Sequence, residues 1–169
     1  PPYPARCAIA PPPRPFAITN APDPTDDATC VPIPGSKSLT NRALLIAALA
    51  AGTTTLEHVL FSDDTHRMLD ALQALGFTLH IDEPRQRVAI EGHAGRIPAR
   101  EASLNLGNAG TAMRFLTAAC CLGQGTFTLD GVQRMRQRPI GQLVEALRAL
   151  GATIEYLGEA GYPPLRIRA

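Results

Sequence analysis

The strongest constraint on the fold of this chain is an internal repeat. One block reads NRALLIAALAAGTTTLEHV and resembles a later block, MRFLTAACCLGQGTFTLDGV, so that Arg42 aligns with Arg114, 72 positions later. A second block, LDALQALGFTLHI, resembles VEALRALGATIEY, so that Gly76 aligns with Gly151, 75 positions later. Because the two offsets are nearly equal and much longer than a solenoid period, they indicate duplication of one large unit and pseudo-symmetric packing of its copies.

Helical periodicity and end signals predict four helices, each followed by a glycine. Their predicted bounds are residues 38–51, 63–75, 111–122 and 139–150. Strands are predicted between and after the helices, over residues 53–59, 77–81, 87–90, 126–132 and 153–157. This order of elements predicts an α/β fold built from a repeated βαβαββ-like unit.

The N-terminal segment differs from the rest of the chain in composition. Seven prolines lie within residues 1–15, and because proline lacks a backbone donor and favours extended structure, we expect a tail or linker there. Residues 16–34 are predicted to form short strands that lead into the domain, and residues 35–169 to form the domain itself. The chain begins at Pro1 rather than Met, and the second copy of the repeat is just finishing at Ala169. We therefore expect it to be a piece of a longer protein.

Composition and charge exclude several classes of function. Apolar residues make up 45% and charged residues 18%, which is typical of a globular domain, and the net charge of +1 argues against nucleic-acid binding. The longest apolar run, residues 43–51, is too short to span a membrane, so a cytoplasmic protein is the default expectation. No CxxC or HExxH motif is present, which predicts reduced thiols and no structural metal. The residues concerned are Cys7, Cys30, Cys120, Cys121, His58, His66, His80 and His93.

The segment PGSKSLTNR predicts an anion site where the first helix begins. Free backbone N–H groups and the positive end of the helix dipole favour an anion there, and Ser38 can donate to its oxygens. Lys37 adds a point charge and Arg42 a forked donor about one turn later. The alternative is a capped helix with a solvated lysine. A nucleotide-binding P-loop is disfavoured, because Ser36 stands where that motif requires glycine.

Two later segments repeat this design. LGNAGTAMR places Asn108 and Gly110, which permit close approach of a ligand, just before Thr111, a predicted helix cap. QRMRQRPIG carries Arg134, Arg136 and Arg138, which share one face if the segment is extended and have no acid nearby in sequence. The alternatives are a plain glycine-rich turn and a solvated surface run. Three cation-bearing turns that lead into helices nevertheless favour an anion-binding surface.

The longer blocks resemble those of the 5-enolpyruvylshikimate-3-phosphate synthase family. The matching blocks are GSKSLTNRALLIAALA, SDDTHRMLDALQALG, LGNAGTAMRFLTAA, RMRQRPIGQLVEALRALGA and YPPLRI. The resemblance implies an enolpyruvyl transferase domain of three βαβαββ units, of which this chain holds two, and a missing C-terminal half that completes a cleft. It also implies transfer of the enolpyruvyl group from phosphoenolpyruvate to the 5-hydroxyl of shikimate-3-phosphate, with release of phosphate and without a cofactor.

The resemblance also implies roles for individual residues. Lys37 would be catalytic and shared between the two substrates, and Ser38 and Arg42 would hold shikimate-3-phosphate. Phosphoenolpyruvate would contact the remaining predicted site residues, which are Asn108, Gly110 and Arg138. No metal, nucleic acid or membrane is implied as a partner.

Departures from the family pattern leave alternatives open. Phe115 stands where many members have proline, which puts affinity for phosphoenolpyruvate and for its mimic glyphosate in doubt, and Thr40 replaces a common serine. The family's Ser-Ser-Gln block, its acid and base candidates and its later cations are absent from the sequence. One alternative is therefore a catalytically incompetent anion-binding fragment. Another is a nucleotide-sugar enolpyruvyl transferase, for which Asn rather than Ser38 would be expected after Lys37.

Overall fold

The computed structural model describes residues 35–169. The predicted Pro-rich tail over residues 1–15, the strands predicted over residues 16–34, and Cys7 and Cys30 all lie outside the described residues. No helix within residues 35–169 combines the length and the apolar character needed to cross a membrane.

The first copy of the repeat forms helices and a three-stranded sheet. All its strand pairs are antiparallel, and the strand order in the sheet is β1-β3-β2. Thr54 of β1 and Leu79 of β2 both lie opposite Ile90 of β3, so one buried side chain fixes the register on both sides. In chain order the elements are α1 (Lys37–Leu49), β1 (Ala51–Leu56), α2 (Asp63–Ala74), β2 (Leu79–Asp82) and β3 (Arg87–His93).

The second copy has the predicted βαβαββ order and a four-stranded sheet. The strand order is β4-β5-β7-β6, with β4 parallel to β5 and the other pairs antiparallel. A short 3₁₀ turn over Met135–Gln137 lies between β5 and the last helix. The elements are β4 (Glu101–Asn105), α3 (Gly110–Cys120), β5 (Thr126–Asp130), α4 (Gly141–Ala149), β6 (Thr153–Tyr156) and β7 (Leu165–Arg168).

The two sheets confirm the duplication predicted from the sequence. The order β1-β3-β2 of the first copy corresponds strand for strand to β5-β7-β6 of the second, and α1 and α2 correspond to α3 and α4. Gly76 and Gly151, which the repeat aligns, have φ values of +88° and +99° at the ends of α2 and α4. A left-handed residue after a helix favours glycine, so both helices end where the sequence predicted.

Both copies contribute to one core, because helices of the first contact elements of the second. Helix α3 packs against α1 and α2, and α2 also packs against β4. Fully buried side chains from each copy fill the space between them, among them Leu44, Met68, Leu72, Leu104, Leu116 and Phe127. This packing fixes the N-terminal ends of the helices relative to one another.

Two strands were missed and two predicted helix bounds were wrong. Strands β4 and β7 were not predicted, because each is short and carries little of the β-branched and aromatic character on which strand prediction depends. Helix α4 begins at Gly141 rather than at Pro139, because the N–H of Ile140 donates to the Gly161 carbonyl and holds residue 140 outside the helix. Helix α1 ends at Leu49, because Ala51 already pairs with His93 in the sheet.

Replacing Gly92 with alanine should destabilise the domain by about 2–3 kcal/mol, because a Cβ there would overlap the carbonyl oxygens of Ala47 and Ala50 at the end of α1. Neither backbone can move away, since the oxygen of Ala50 also accepts from the N–H of Ala94. Chemical denaturation should show the loss as a lower midpoint. Gly158→Ala is the matched control, because its Cβ would meet only Pro164 Cδ at 3.5 Å. Equal midpoints for the two variants would contradict the packing of α1 on β3.

Candidate anion-binding site

Lys37 opens helix α1 and points toward the first turn of α2. Ser36 caps the helix by accepting from the Leu39 N–H at 3.4 Å, and the first turn contains no acid. The Lys37 ammonium lies 3.0 Å from a carboxylate oxygen of Asp64, the second residue of α2. Lys37 is therefore oriented by an ion pair rather than freely solvated, although 58% of its side chain stays exposed.

The glycine-rich turn before α3 lies against a side chain of α2. Gly107 has φ +53°, and its N–H donates to Asn105 Oδ1 at 3.1 Å. A Cβ on Gly107 would lie 3.0 Å from Arg67 Nε, so the absence of a side chain lets the arginine reach the turn. Arg67 lies one turn along α2 from Asp63, with 3.7 Å between Arg67 Nε and the Asp63 carboxylate. Helix α2 therefore contacts both Lys37 and the glycine-rich turn.

Arg138 closes over the same turn from the other side. Its Nη1 donates to the Asn108 carbonyl at 3.2 Å. A Cβ on Gly110 would overlap the same guanidinium nitrogen, so Gly110 permits this approach. The structure thus brings together Asn108, Gly110 and Arg138, which the sequence analysis named separately. A cavity of about 390 Å³ lies beside them, and Thr111 and Arg114 also line it.

Two further arginines are held by groups other than carboxylates. Arg114 Nη2 donates to the Pro139 carbonyl at 2.8 Å, and Arg42 Nη1 donates to the Ser38 carbonyl at 3.3 Å. Within residues 35–169, no carboxylate lies within ion-pair distance of Arg42, Arg114 or Arg138. Neutral backbone carbonyls therefore position these three guanidinium groups, and their positive charges stay available to an anion.

The prediction that three arginines share an extended face was wrong. Met135 is buried and draws the segment into a 3₁₀ turn, so the arginines do not alternate along a strand. Arg136 donates twice to Asp130, at 3.0 and 2.6 Å, whereas Arg134 contacts Gln137. An acid therefore does lie near the cluster. Of the three arginines, Arg138 alone contacts the glycine-rich turn.

Thr111 does not cap helix α3 as predicted. Helix α3 begins at Gly110 after Ala109, and no side chain accepts a hydrogen bond from its first turn. Thr111 is the second residue of the helix and lines the cavity. The first-turn N–H groups of α3 consequently lack a side-chain cap beside the cavity.

Replacing Arg136 with glutamine should affect stability rather than anion binding. The hydrogen bonds from Arg136 lower the pKa of the Asp130 carboxyl below its ordinary value of 3.8. A lowered folded-state pKa contributes stability above the unfolded value, and that stability disappears as the pH falls through the folded value. Melting temperatures should therefore separate wild type from the variant at pH 7 and converge as the pH falls from 3.8 through the lower folded-state pKa of Asp130.

Anion titration gives the second readout for Arg136→Gln. Phosphate affinity should stay within about twofold of wild type, because the removed charge lies outside the site and is screened by salt. A loss as large as that caused by Arg138→Ala would show that Arg136 binds the anion.

The cysteine and histidine side chains of residues 35–169 form no hydrogen bond or ion pair with the site residues described above. Burial raises the pKa of the Cys120 thiol to about 12 and also raises that of Cys121, so both stay protonated at neutral pH. His66 contacts Glu83 at 3.0 Å, and this hydrogen bond raises the pKa of its imidazole. No cluster of three or more His, Cys, Asp or Glu side chains that could hold a metal occurs within residues 35–169.

Asp64, Arg67 and the contact of Phe115 with Arg42 were not predicted from the sequence. Acids at the start of a helix are favoured by the helix dipole alone, so the two acids of SDDTHR offered no reason to pair either of them with Lys37. Asp63 and Arg67 are four residues apart, a spacing at which side chains on a helix can pair, and this spacing could have identified Arg67. Nothing in the local sequence connects Phe115 with Arg42, because their contact depends on the packing of α1 against α3.

Comparisons with known proteins agree on one family. The family model described as EPSP synthase (3-phosphoshikimate 1-carboxyvinyltransferase) matches residues 24–169. A 3-phosphoshikimate 1-carboxyvinyltransferase from Laribacter hongkongensis is 58% identical over 137 residues, which are 81% of this chain and 32% of the relative. Another, from Bordetella avium, is 60% identical over 135 residues, covering 80% of this chain and 30% of the relative.

Solved structures show the same likeness. The EPSP synthase from Acinetobacter baumannii aligns with a TM-score of 0.73 and 30% identity, over 80% of this chain and 31% of that protein. The chain spans about a third of the length of the relatives that it matches.

Proposed function

The chain belongs to the EPSP synthase family, and from that premise we propose that it forms the N-terminal part of an enzyme that transfers an enolpyruvyl group. The donor is phosphoenolpyruvate, the acceptor is the 5-hydroxyl of shikimate-3-phosphate, and phosphate is released. The observation that carries the proposal is the contact of Arg138 with Asn108 and Gly110 beside a cavity of about 390 Å³. This contact joins two segments that are 30 residues apart into one cation-bearing surface.

Phosphoenolpyruvate is the proposed ligand of the glycine-rich turn. Its phosphate and carboxylate suit a forked guanidinium, such as that of Arg138, together with backbone N–H groups. Gly110 keeps the approach open and Asn108 lies at the rim of the turn, where its side chain is exposed. The uncapped first turn of α3 adds the positive end of a helix dipole on the same side.

Shikimate-3-phosphate is the proposed ligand of the first turn of α1. Ser38 is partly exposed there, and Arg42 lies one turn further along without a carboxylate partner in the described region. Lys37 is proposed to contact both substrates and to act in catalysis. Its ion pair with Asp64 orients the ammonium, and a substrate dianion can join or displace that carboxylate because the lysine is exposed.

The chemical role of these residues is to bind and stabilise negative charge. The two substrates bring two phosphates and two carboxylates, and charge redistributes over their oxygens as the enolpyruvyl group is transferred. Cations already held by Asp64, Phe115 and backbone carbonyls need little rearrangement when that charge develops, which is the condition for electrostatic stabilisation of a transition state. No cofactor enters this proposal.

An anion-binding module without turnover is the second candidate function. Two acids near the proposed site, Asp64 and Asp130, are engaged by Lys37 and Arg136 and are poorly placed to move protons. We infer that the remaining length seen in the relatives supplies these groups. A cytoplasmic location is part of the proposal, because doubly charged substrates do not cross a bilayer unaided.

A chimera tests the proposed function. Residues 24–169 would replace the corresponding third of the Laribacter hongkongensis relative. We expect the chimera to release phosphate from phosphoenolpyruvate only when shikimate-3-phosphate is present, and Lys37→Ala in the chimera to abolish the release. A folded chimera without turnover would contradict the proposal.

A further inference from the structure

Phe115 places an aromatic ring against an arginine of the other copy of the repeat. Its side chain is partly buried on α3 and packs against the shared core. The guanidinium carbon of Arg42, on α1, lies 5.4 Å from the centre of the ring. At this distance the negative face of the ring attracts a cation. The contact therefore crosses from one copy of the repeat to the other.

We propose that Phe115 is a positioning residue that holds the Arg42 guanidinium ready for an oxyanion group of shikimate-3-phosphate. This role rests on the function proposed above. Arg42 is fixed at two points, by the ring and by its hydrogen bond to the Ser38 carbonyl. The guanidinium of an arginine has five N–H donors, and the hydrogen bond of Arg42 to the Ser38 carbonyl uses one on Nη1. Most of those donors consequently stay free for an oxyanion.

The electrostatics of Arg42 explain why a ring is a better support here than an acid. A carboxylate within ion-pair distance would neutralise the guanidinium and compete with the phosphate. The ring attracts the cation and adds no negative charge of its own. An exposed arginine also loses side-chain freedom when it binds, and fixing it beforehand reduces that loss.

The ring of Phe115 lines an apolar groove together with side chains from two other helices. Leu45 and Leu143, from α1 and α4, line the same apolar groove as Phe115. Phe115 thus faces a groove that side chains of α1 and α4 also line, and the position of the ring follows from the packing of α3 against α1. Arg42 is the cation that this ring contacts within the described part of the chain.

A second arginine–aromatic pair provides a matched control. Arg148 lies 5.0 Å from the ring centre of Tyr156, and both residues are in the second copy of the repeat. Arg148 also donates to the carbonyl of Ile154, as Arg42 does to that of Ser38. Tyr156→Leu therefore removes a similar contact at a place without a proposed ligand.

The test titrates the full 169-residue chain with inorganic phosphate and with shikimate-3-phosphate. Phe115→Leu should weaken both affinities about threefold, because it removes one cation–π contact and keeps an apolar side chain. Phe115→Tyr should bind like wild type, and so should Tyr156→Leu. In an Arg42→Ala background, Phe115→Leu should cause no further loss, because the ring acts through the arginine.

An NMR readout separates positioning from a loss of folding. The side-chain protons of Arg42 should be shifted upfield by the ring in wild type and in Phe115→Tyr, and should return to ordinary positions in Phe115→Leu. Unshifted Arg42 protons in wild type would overturn the proposal.

The titrations distinguish the failure of this inference from the failure of the proposed function. Unchanged binding in Phe115→Leu, together with weakened binding in Arg42→Ala, would overturn the role of Phe115 and leave the function standing. Unchanged binding in Arg42→Ala, or no binding by wild type, would overturn both.

Discussion

The 169-residue chain alone should release no phosphate from phosphoenolpyruvate above a no-protein blank, even with saturating shikimate-3-phosphate. The described residues supply cations that bind the substrates, but transfer also requires protons to move. Each positioned acid or base typically contributes a factor of about 10² to 10⁴ in rate. Near the site, Asp64 is paired with Lys37, and Asp130 is paired with Arg136.

The measurement is a coupled phosphate-release assay on the purified chain, with the chimera as the positive control. Phosphate release that depends on both substrates and disappears in Lys37→Ala would contradict the expectation. It would show that the groups described here are sufficient for proton transfer.

Replacing Lys37 or Arg138 with alanine should weaken phosphoenolpyruvate binding by about tenfold or more. A charge-assisted hydrogen bond contributes about 1.5–3 kcal/mol, which corresponds to at least a tenfold change in Kd. Both side chains are exposed, so the loss should decrease as salt is added. Calorimetric titration at moderate and high salt measures both effects.

Two controls separate a local effect from a general loss of charge. Arg85→Ala removes one positive charge from the turn between β2 and β3, where 80% of the arginine side chain is exposed. His80→Ala changes an exposed residue of β2. Neither should weaken binding by more than about twofold, because neither residue contacts the proposed site. If the His80 change weakens binding as much as the two cation deletions, the anion site has been placed wrongly.

The repeat predicted most of the fold because it reports on packing as well as on local structure. Aligned glycines at positions 76 and 151 end equivalent helices, and both have the left-handed backbone that the alignment implies. Strands β4 and β7 were missed because each owes its pairing to neighbouring strands rather than to its own four or five residues. Local propensity carries little information for such short strands.

The candidate site was predictable in its residue types and only partly in its geometry. Lys37, Arg42 and Arg138 could be named because each cation lies close to a helix start that follows a turn. Arg136 was misassigned because its partner, Asp130, lies six residues away across a 3₁₀ turn that burial of Met135 imposes. Spacing rules for strands or helices cannot predict a contact between a side chain in a turn and a residue that precedes the turn.

The contacts that assemble the site are long-range and could not be predicted. Lys37 meets Asp64 because α1 packs on α2, whereas Arg67 meets Gly107 and Arg138 meets Asn108 because α2 and the 3₁₀ turn pack on either side of the glycine-rich turn. Each contact joins residues 27 or more positions apart in sequence. Packing between elements, both within each copy and between the copies, creates these contacts rather than local pattern.

One phosphoenolpyruvate dianion is proposed to contact both the start of α1 and Arg138. A double-mutant cycle with Lys37→Ala, Arg138→Ala and the double variant, titrated with phosphoenolpyruvate, tests this directly. If one dianion contacts both cations, the double variant should lose clearly less affinity than the product of the two single losses, because the second contact depends on the first. Losses that multiply without coupling, or a single variant that binds like wild type, would contradict a shared site.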